Sequence, residues 1–188
     1  GIQMASFYMP GDFVPHVRML QTGYEDVETA SHFGLPFVTI RKPLPYDTTL
    51  LNYNWQIWGC KAFSLYAGQT NYVEDSTSMQ SVEAILRFLN KEGIVSYKNK
   101  SAGYESVVLD EKALCNVIAR RAGIFYRLKN TGMAVKEGDV LAQILDPYDS
   151  SVLEEVKAPV DGVVFFAHNK PLALEHAILY RIIKEEEI

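Results

Sequence analysis

The sequence predicts an α/β segment over residues 1–100 followed by a small, β-rich module over residues 101–188. In the first part, apolar runs of strand length alternate with stretches whose apolar residues recur at helical spacing. Beyond about residue 100 the helical spacing disappears. Short alternating strands then follow one another, separated by turns at Lys129-Asn-Thr-Gly132, Lys136-Glu-Gly-Asp139 and Val160-Asp-Gly162.

The α/β part opens on the strand-like run His16-Val-Arg-Met-Leu-Gln-Thr22. Thr22 and Glu25 have the spacing of a capping box, which predicts a helix starting there with Tyr24, Val27 and Ala30 on its apolar side. Gly34 supplies a left-handed stop, and Leu35-Pro36 feeds a buried strand, Phe37-Val-Thr-Ile40. After the Pro-containing loop Arg41–Thr49, Leu51, Trp55 and Trp58 mark a short helix with its aromatic residues in the core. Ala62-Phe-Ser-Leu-Tyr66 reads as another inner strand. Asp75 or Ser76 caps a longer helix whose apolar face is Met79, Val82, Leu86 and Leu89, ending at Gly93.

Composition narrows the function. With 188 residues, 48% of them hydrophobic, the chain can build its own core without staples. Lys+Arg 18 against Asp+Glu 23 gives a net charge of −5, and no basic cluster tracks a phosphate backbone, which argues against nucleic acid. No apolar run is long enough to span a bilayer and no signal peptide is recognisable, so a cytoplasmic protein is expected. Cys60 and Cys115 form no Cys-x-x-Cys pair and read as buried thiols without a disulfide. A start at Gly1 suggests a piece of a longer protein. The charged end Lys184–Ile188 is expected to fray.

In the β module, Gly132-Met-Ala-Val-Lys-Glu-Gly-Asp-Val-Leu141 and Lys157-Ala-Pro-Val-Asp-Gly-Val-Val164 form a quasi-repeat of turn and strand that resembles a barrel-sandwich hybrid. Lipoyl- and biotinyl-carrier domains share that pattern and carry their cofactor on a lysine at a hairpin tip. The equivalent tip, Pro147-Tyr-Asp-Ser150, has no lysine, and Lys157 lies inside a predicted strand, so a carrier role is not expected.

Residues 123–183 resemble the C-terminal β-domain of the succinylglutamate desuccinylase/aspartoacylase family, through Gly123-Ile-Phe-Tyr-Arg127, Val135-Lys-Glu-Gly-Asp-Val-Leu141, Ile144-Leu-Asp-Pro147 and Val156-Lys-Ala-Pro-Val-Asp-Gly162. The resemblance extends upstream through Pro15-His-Val-Arg18, Phe33-Gly-Leu-Pro36 and the helix after Val73-Glu-Asp75, and so covers nearly the whole chain. It implies that residues 1–100 are the rear part of a zinc-carboxypeptidase-like α/β domain and that residues 101–188 are a barrel-sandwich-like domain. It also implies a zinc-dependent amidohydrolase that cleaves an N-acyl amino acid or a related amide. In that family zinc is held by a His-x-x-Glu pair and a later His, and a strand-end carboxylate acts as general base. A catalytic zinc needs three such ligands and one open position to activate water.

None of the four histidines, His16, His32, His168 and His176, stands in a His-x-x-Glu arrangement, and in the family that motif lies in the half preceding this chain. Where the later His is expected, the sequence reads Phe7-Tyr-Met-Pro-Gly-Asp-Phe13. His16 is nearby, but its place after Pro15 at a strand start suits a hydrogen-bonded residue better than a ligand. Tyr66 takes the place of the family's catalytic glutamate, and a phenol, titrating ordinarily near 10, is a poor base at neutral pH. Leu174 stands where the β-domain of aspartoacylase-like members supplies a substrate-contacting tyrosine.

The candidate catalytic residue is therefore Tyr66, the candidate substrate-binding residues are Arg41, Asn52 and Asn54, and no metal ligand is assigned. Arg41 and Lys42 follow a strand where a cation can meet a substrate carboxylate, and Asn52-Tyr-Asn-Trp-Gln56 gathers amides and aromatics that suit a polar acyl group. Asp12, Asp47, Glu74 and Asp75 are the acids nearest the strand ends, the last two suited to a helix N-terminus. Zinc is expected for the parent family and no cofactor for this chain alone, which is expected to be inactive. The alternative is a non-catalytic binding or assembly module. Half a carboxypeptidase-like sheet leaves an open edge, so a homo-oligomer or association with a missing N-terminal half is expected.

Overall fold

The computed structural model describes residues 1–4, 9–69 and 74–188. Phe7, Tyr8 and Val73, which belong to segments singled out above, lie outside the described residues. The chain divides into two compact units, Gly1–Phe7 with Pro15–Glu111, and Tyr8–Val14 with Lys112–Ile188. This division and the one at residue 100 differ in where they place residues 8–14 and 101–111.

The first unit is built on strands β1 (Ile2–Met4), β2 (Gly11–Leu20, from Pro15 onward), β3 (Phe37–Arg41), β4 (Phe63–Gly68) and β5 (Val107–Leu109). They lie in the order β1, β4, β2, β3, β5. β1 runs parallel to β4, β2 to β3, and β3 to β5. Parallel strands covered on both faces require near-continuous apolar runs, which explains Phe37-Val-Thr-Ile40. The core gathers Val17, Met19, Phe33, Val38, Phe63 and Phe88. Phe33 and Phe88 stack with ring centroids 4.3 Å apart, and Phe63 meets both edge-on.

Three helices accompany this sheet: α1 (Val27–Ser31), α2 (Leu51–Ile57) and α3 (Asp75–Lys91). Each departs from its sequence expectation for a physical reason. Glu25 accepts the N–H groups of Thr22 and Gly23, the first being one half of a capping box, but the Thr22 hydroxyl accepts from Tyr24 and no helix starts there; Asp26 caps α1 by accepting from Thr29. In α2 the buried residues are Asn52 and Gln56, one turn apart. Trp58 sits past the helix end and is 85% exposed, and Trp55 is half-buried, so the aromatics are not the core of this helix. In α3 the buried residues are Ser81, Ala84, Arg87 and Phe88, whereas Met79 and Val82 are exposed. Small Ser81 and Ala84 allow a close approach. Arg87 adds hydrogen bonds to the Phe33 and Gly34 carbonyls and to Ser101, so the helix turns its polar anchor inward. Gly34, at φ +61°, ends the α1 segment as expected, and Gly93, at φ +71°, ends α3.

The second unit has two sheets. In one, β11 (Gly162–His168) pairs with β13 (Ile178–Lys184), which pairs with β6 (Leu114–Ile118), while β8 (Ala134–Val135) and the first residues of β2 also pair with β11. The other has the order β10 (Val152–Lys157), β9 (Val140–Leu145), β7 (Gly123–Arg127), β12 (Leu172–Ala173), all antiparallel. The core includes Phe125, Leu141, Ile144, Val156, Val164 and Ile182. Tyr180, fully buried, donates to the Leu141 carbonyl at 2.7 Å, and burial pushes its phenol up. The tip between β9 and β10 is tightly bonded. Asp146 accepts from the Tyr148 N–H and Asp149 from the Ser151 N–H, leaving Tyr148 96% exposed.

The end of the chain, where fraying is expected, has local structure. Glu185–Glu187 form a 3-10 turn, and Lys136 bridges Asp161 and Glu185. Cys60 is exposed and Cys115 half-buried, both as free thiols, so neither is the fully buried thiol expected. The turn at Gly59, φ +76°, carries Cys60 out to solvent. No helix among the described residues is long and apolar enough to cross a membrane.

Candidate functional site

β2 and β3 run side by side, and Leu20 is the register partner of Arg41, so both strands deliver their last residues to one end of the sheet. Arg41 does not stand free there. The turn Pro45–Thr49 places Asp47, fully buried, against the guanidinium. Nη1 of Arg41 donates to one Asp47 oxygen at 2.5 Å and Nη2 to the other, a two-pronged pairing, and the Leu44 N–H adds a third bond to the carboxylate at 2.6 Å. Burial pushes the Asp47 carboxyl up, but Arg41, the Leu44 N–H and the nearby charge of Arg18 outweigh it and hold it below its ordinary range. Burial likewise pulls the Arg41 guanidinium down, and Asp47 more than restores it. Nε of Arg41 is buried with no partner in the structure.

The amides of α2 have distinct duties. Gln56 reaches the end of β2, accepting from the Leu20 N–H at 3.3 Å and donating to the Leu20 carbonyl at 3.0 Å, as a neighbouring strand would. Asn52, 4% exposed, donates from Nδ2 to Ser64 Oγ on β4, and its Oδ1 has no partner. Asn54 donates to the carbonyls of Thr48 and Leu50 and so ties the start of α2 to the preceding turn.

Tyr66 lies in β4, half-buried, beside residues 16 and 18 of β2. The His16 ring stacks on it at 5.4 Å between centroids with an interplanar angle of 9°, and the Arg18 guanidinium carbon lies 5.6 Å from the ring centre. His16 itself is 1% exposed. The alternation of a strand puts residues 16 and 18 on one face, so the pattern His16-Val-Arg18 carries both contacts. Such an arrangement supplies a cation and an aromatic face for holding a polar group.

Sequence reading did not single out Arg18, nor the role of Gln56. The signals were its spacing of two from His16 on a strand and, for Gln56, its spacing of four from Asn52 on a helix. Asp47, named only as a strand-end acid, is the partner of Arg41. Of the other named acids, Asp12 lies in the second unit, 2.5 Å from Arg127, and Glu74 accepts from the Thr77 hydroxyl at 3.0 Å. Leu174 and Glu175 are exposed in the second unit. Among the described residues no three His, Cys, Asp or Glu side chains gather so as to hold a metal ion. The His16 ring stacks on Tyr66.

No family model and no curated protein matches the chain. Solved structures do. A succinylglutamate desuccinylase/aspartoacylase from Rhodobacter sphaeroides superposes with a TM-score of 0.76 at 18% identity, over 97% of this chain and 57% of that one. The apo ectoine utilization protein EutE (DoeB) from Ruegeria pomeroyi gives 0.76 at 17%, over 97% and 59%. A succinylglutamate desuccinylase from Silicibacter sp. TM1040 gives 0.75 at 18%, over 97% and 57%. The chain thus has the fold of these proteins and resembles the succinylglutamate desuccinylase/aspartoacylase family, while spanning a little over half the length of each.

Proposed function

We propose that this chain supplies the rear, carboxypeptidase-like α/β part and the barrel-sandwich β module of a cytoplasmic amidohydrolase of the zinc-dependent type that acts on N-acyl amino acids, and that by itself it does not hydrolyse them. The fold likeness supports the family reading. The observation that carries the second half is the Tyr66 stack: the strand position expected to bring a general base carries instead a phenol wedged against buried His16 and beside Arg18.

The test is a paired measurement on the purified 188-residue chain, with zinc content read after equilibration with zinc and dialysis. Release of free amino acid from N-succinylglutamate and from an N-acylated aspartate is followed alongside. The expected result is zinc far below one per chain and no release. Near-stoichiometric zinc together with release overturns the reading.

A second reading, a non-catalytic binding or assembly module, is favoured by one specific observation. Arg41, the cation placed to meet a substrate carboxylate, is already paired with Asp47 through both of its terminal nitrogens. Calorimetric titration with the same two compounds separates the readings. Heat of binding without turnover supports retention of an acyl-amino-acid site, and silence together with self-association supports assembly.

A further inference from the structure

His168, the last residue of β11, is 5% exposed, belongs to the second unit and has no part in the candidate site of the first. Its Nε2 donates to the Leu172 carbonyl at 3.1 Å, and the Pro10 carbonyl meets the ring as well. A carbonyl only accepts, and a neutral imidazole has one N–H to give, so the neutral ring serves one of the two and the imidazolium would serve both. The rest of the surroundings oppose that charge. The Phe125 ring of β7 stands at 85° to the imidazole with centroids 5.1 Å apart. The charges that act on the ring are cations: Lys170, two residues on, and Arg127 of β7, whose Nη1 also donates to the His168 carbonyl at 3.4 Å. Asp12, on the opposing strand, is engaged by Arg127 at 2.5 Å and by Asn169 at 3.2 Å. Burial, with the two cations, outweighs the two carbonyls and holds the proton affinity of His168 below that of an ordinary histidine.

The strand facing this histidine is the start of β2. Gly11 is the register partner of His168, Asp12 of Ala167 and Phe13 of Phe166. The backbone at Gly11 lies so close to β11 that a Cβ there would overlap the Phe166 ring and the Ala167 carbonyl. Phe13, 2% exposed, packs edge-on against Phe165 and tilted on Phe166 at 4.5 Å. The hold of β2 on β11 is therefore apolar at Phe13 and polar at Gly11 and Asp12, and His168 sits at the polar end.

We propose that His168 is a proton-operated latch on the start of β2: when the ring takes up a proton, Gly11 and Asp12 leave β11, while Phe13 keeps its place. Release lets water reach the imidazolium and moves it away from Lys170 and Arg127. A ring open to water binds its proton near the ordinary value, so the closed latch is complete above about pH 6.5 and the released one gains as pH falls below it. The inference does not depend on the fate of the candidate site in the first unit.

The test is amide exchange read residue by residue by NMR on the full 188-residue chain at about pH 7.5 and about pH 5, with protection taken relative to the unstructured rate at each pH. Protection at residues 11, 12, 167 and 168 is expected to fall at least about tenfold on acidification, the factor that corresponds to one unit of difference in proton affinity, and to hold at Phe13 and Phe166. His168→Gln, which keeps a neutral donor, abolishes the fall. Lys170→Gln, at an exposed position, removes a repelling cation and makes the fall smaller, so the test stands even where the histidine variant does not fold. Equal protection at the two pH values overturns the proposal, as does a fall of the same size in His168→Gln. So does a His168 ring that titrates while residues 11 and 12 stay protected, since the proton is then accepted in place.

Discussion

The two units bury their interiors differently. Of the nine buried polar or charged residues among those described, eight, from His16 to Arg87, lie in the first unit, and only His168 lies in the second. The first unit thus holds buried donors and acceptors on its helices, strands and the 45–49 turn, each in need of a partner, whereas the second is held by an almost wholly apolar interior. An apolar core tolerates replacement in proportion to the volume removed. A polar interior fails in proportion to what is left unpaired.

Breaking the Arg41–Asp47 pair makes the largest test of that contrast. Asp47→Ala leaves the half-buried guanidinium without its counter-charge, and is expected to cost about 3–5 kcal/mol in urea unfolding. The double replacement Arg41→Met with Asp47→Leu should recover most of the loss, because neither charge then remains to be solvated. If the double variant is no better than the single, the charge pair itself, not its desolvation, sets the stability.

In the second unit Ile144→Ala, at a fully buried position, should cost about 3 kcal/mol with no rescue by any polar substitution. Tyr180→Phe is a smaller probe of the same interior, expected to cost about 1 kcal/mol, since the Leu141 carbonyl keeps its bonds from Leu128 and Lys129.

Acid sharpens the comparison further. Burial lowers the affinity of His168 for a proton, despite its bond to the Leu172 carbonyl, and Lys170 and Arg127 add to the effect. The unfolded chain therefore takes up that proton first. The His168 contribution is complete above about pH 6.5 and is lost as pH falls toward the lower folded value. Thermal unfolding between neutral and mildly acid pH should show this slope, and His168→Gln should flatten it. In the first unit, partial burial raises the Asp26 carboxyl, but Lys61 and the Thr29 N–H and hydroxyl hold it down to about 2. Its contribution is present above its unfolded value near 4 and falls away as pH drops through about 2. Asp26→Ala, which removes the cap of α1, is the mildest change, at about 1 kcal/mol.

The sequence carried the order of strands and helices well because periodicity and glycine stops are local. Phe37-Val-Thr-Ile40 and Gly34 could hardly read otherwise. It carried the facing of α3 poorly. Met79 and Val82 have the right spacing for a buried stripe, but the winning face is set by Arg87 meeting the Phe33 and Gly34 carbonyls more than fifty residues away. The same limit applies to the candidate site. Tyr66, Arg41, Asn52 and Asn54 were visible as residue types at strand and helix ends. Their partners Asp47, His16, Arg18 and Ser64 are defined only once β2, β4 and the 45–49 turn come together.

Both tryptophans of the chain, Trp55 and Trp58, fall on α2 or its cap, and none lies in the second unit. Indole emission is thus a private signal of the first unit. Iodide should quench Trp58 strongly and half-buried Trp55 much less. A denaturation curve followed at indole wavelengths is blind to the apolar unit, and its disagreement with a tyrosine or far-ultraviolet curve would measure how independently the two halves melt.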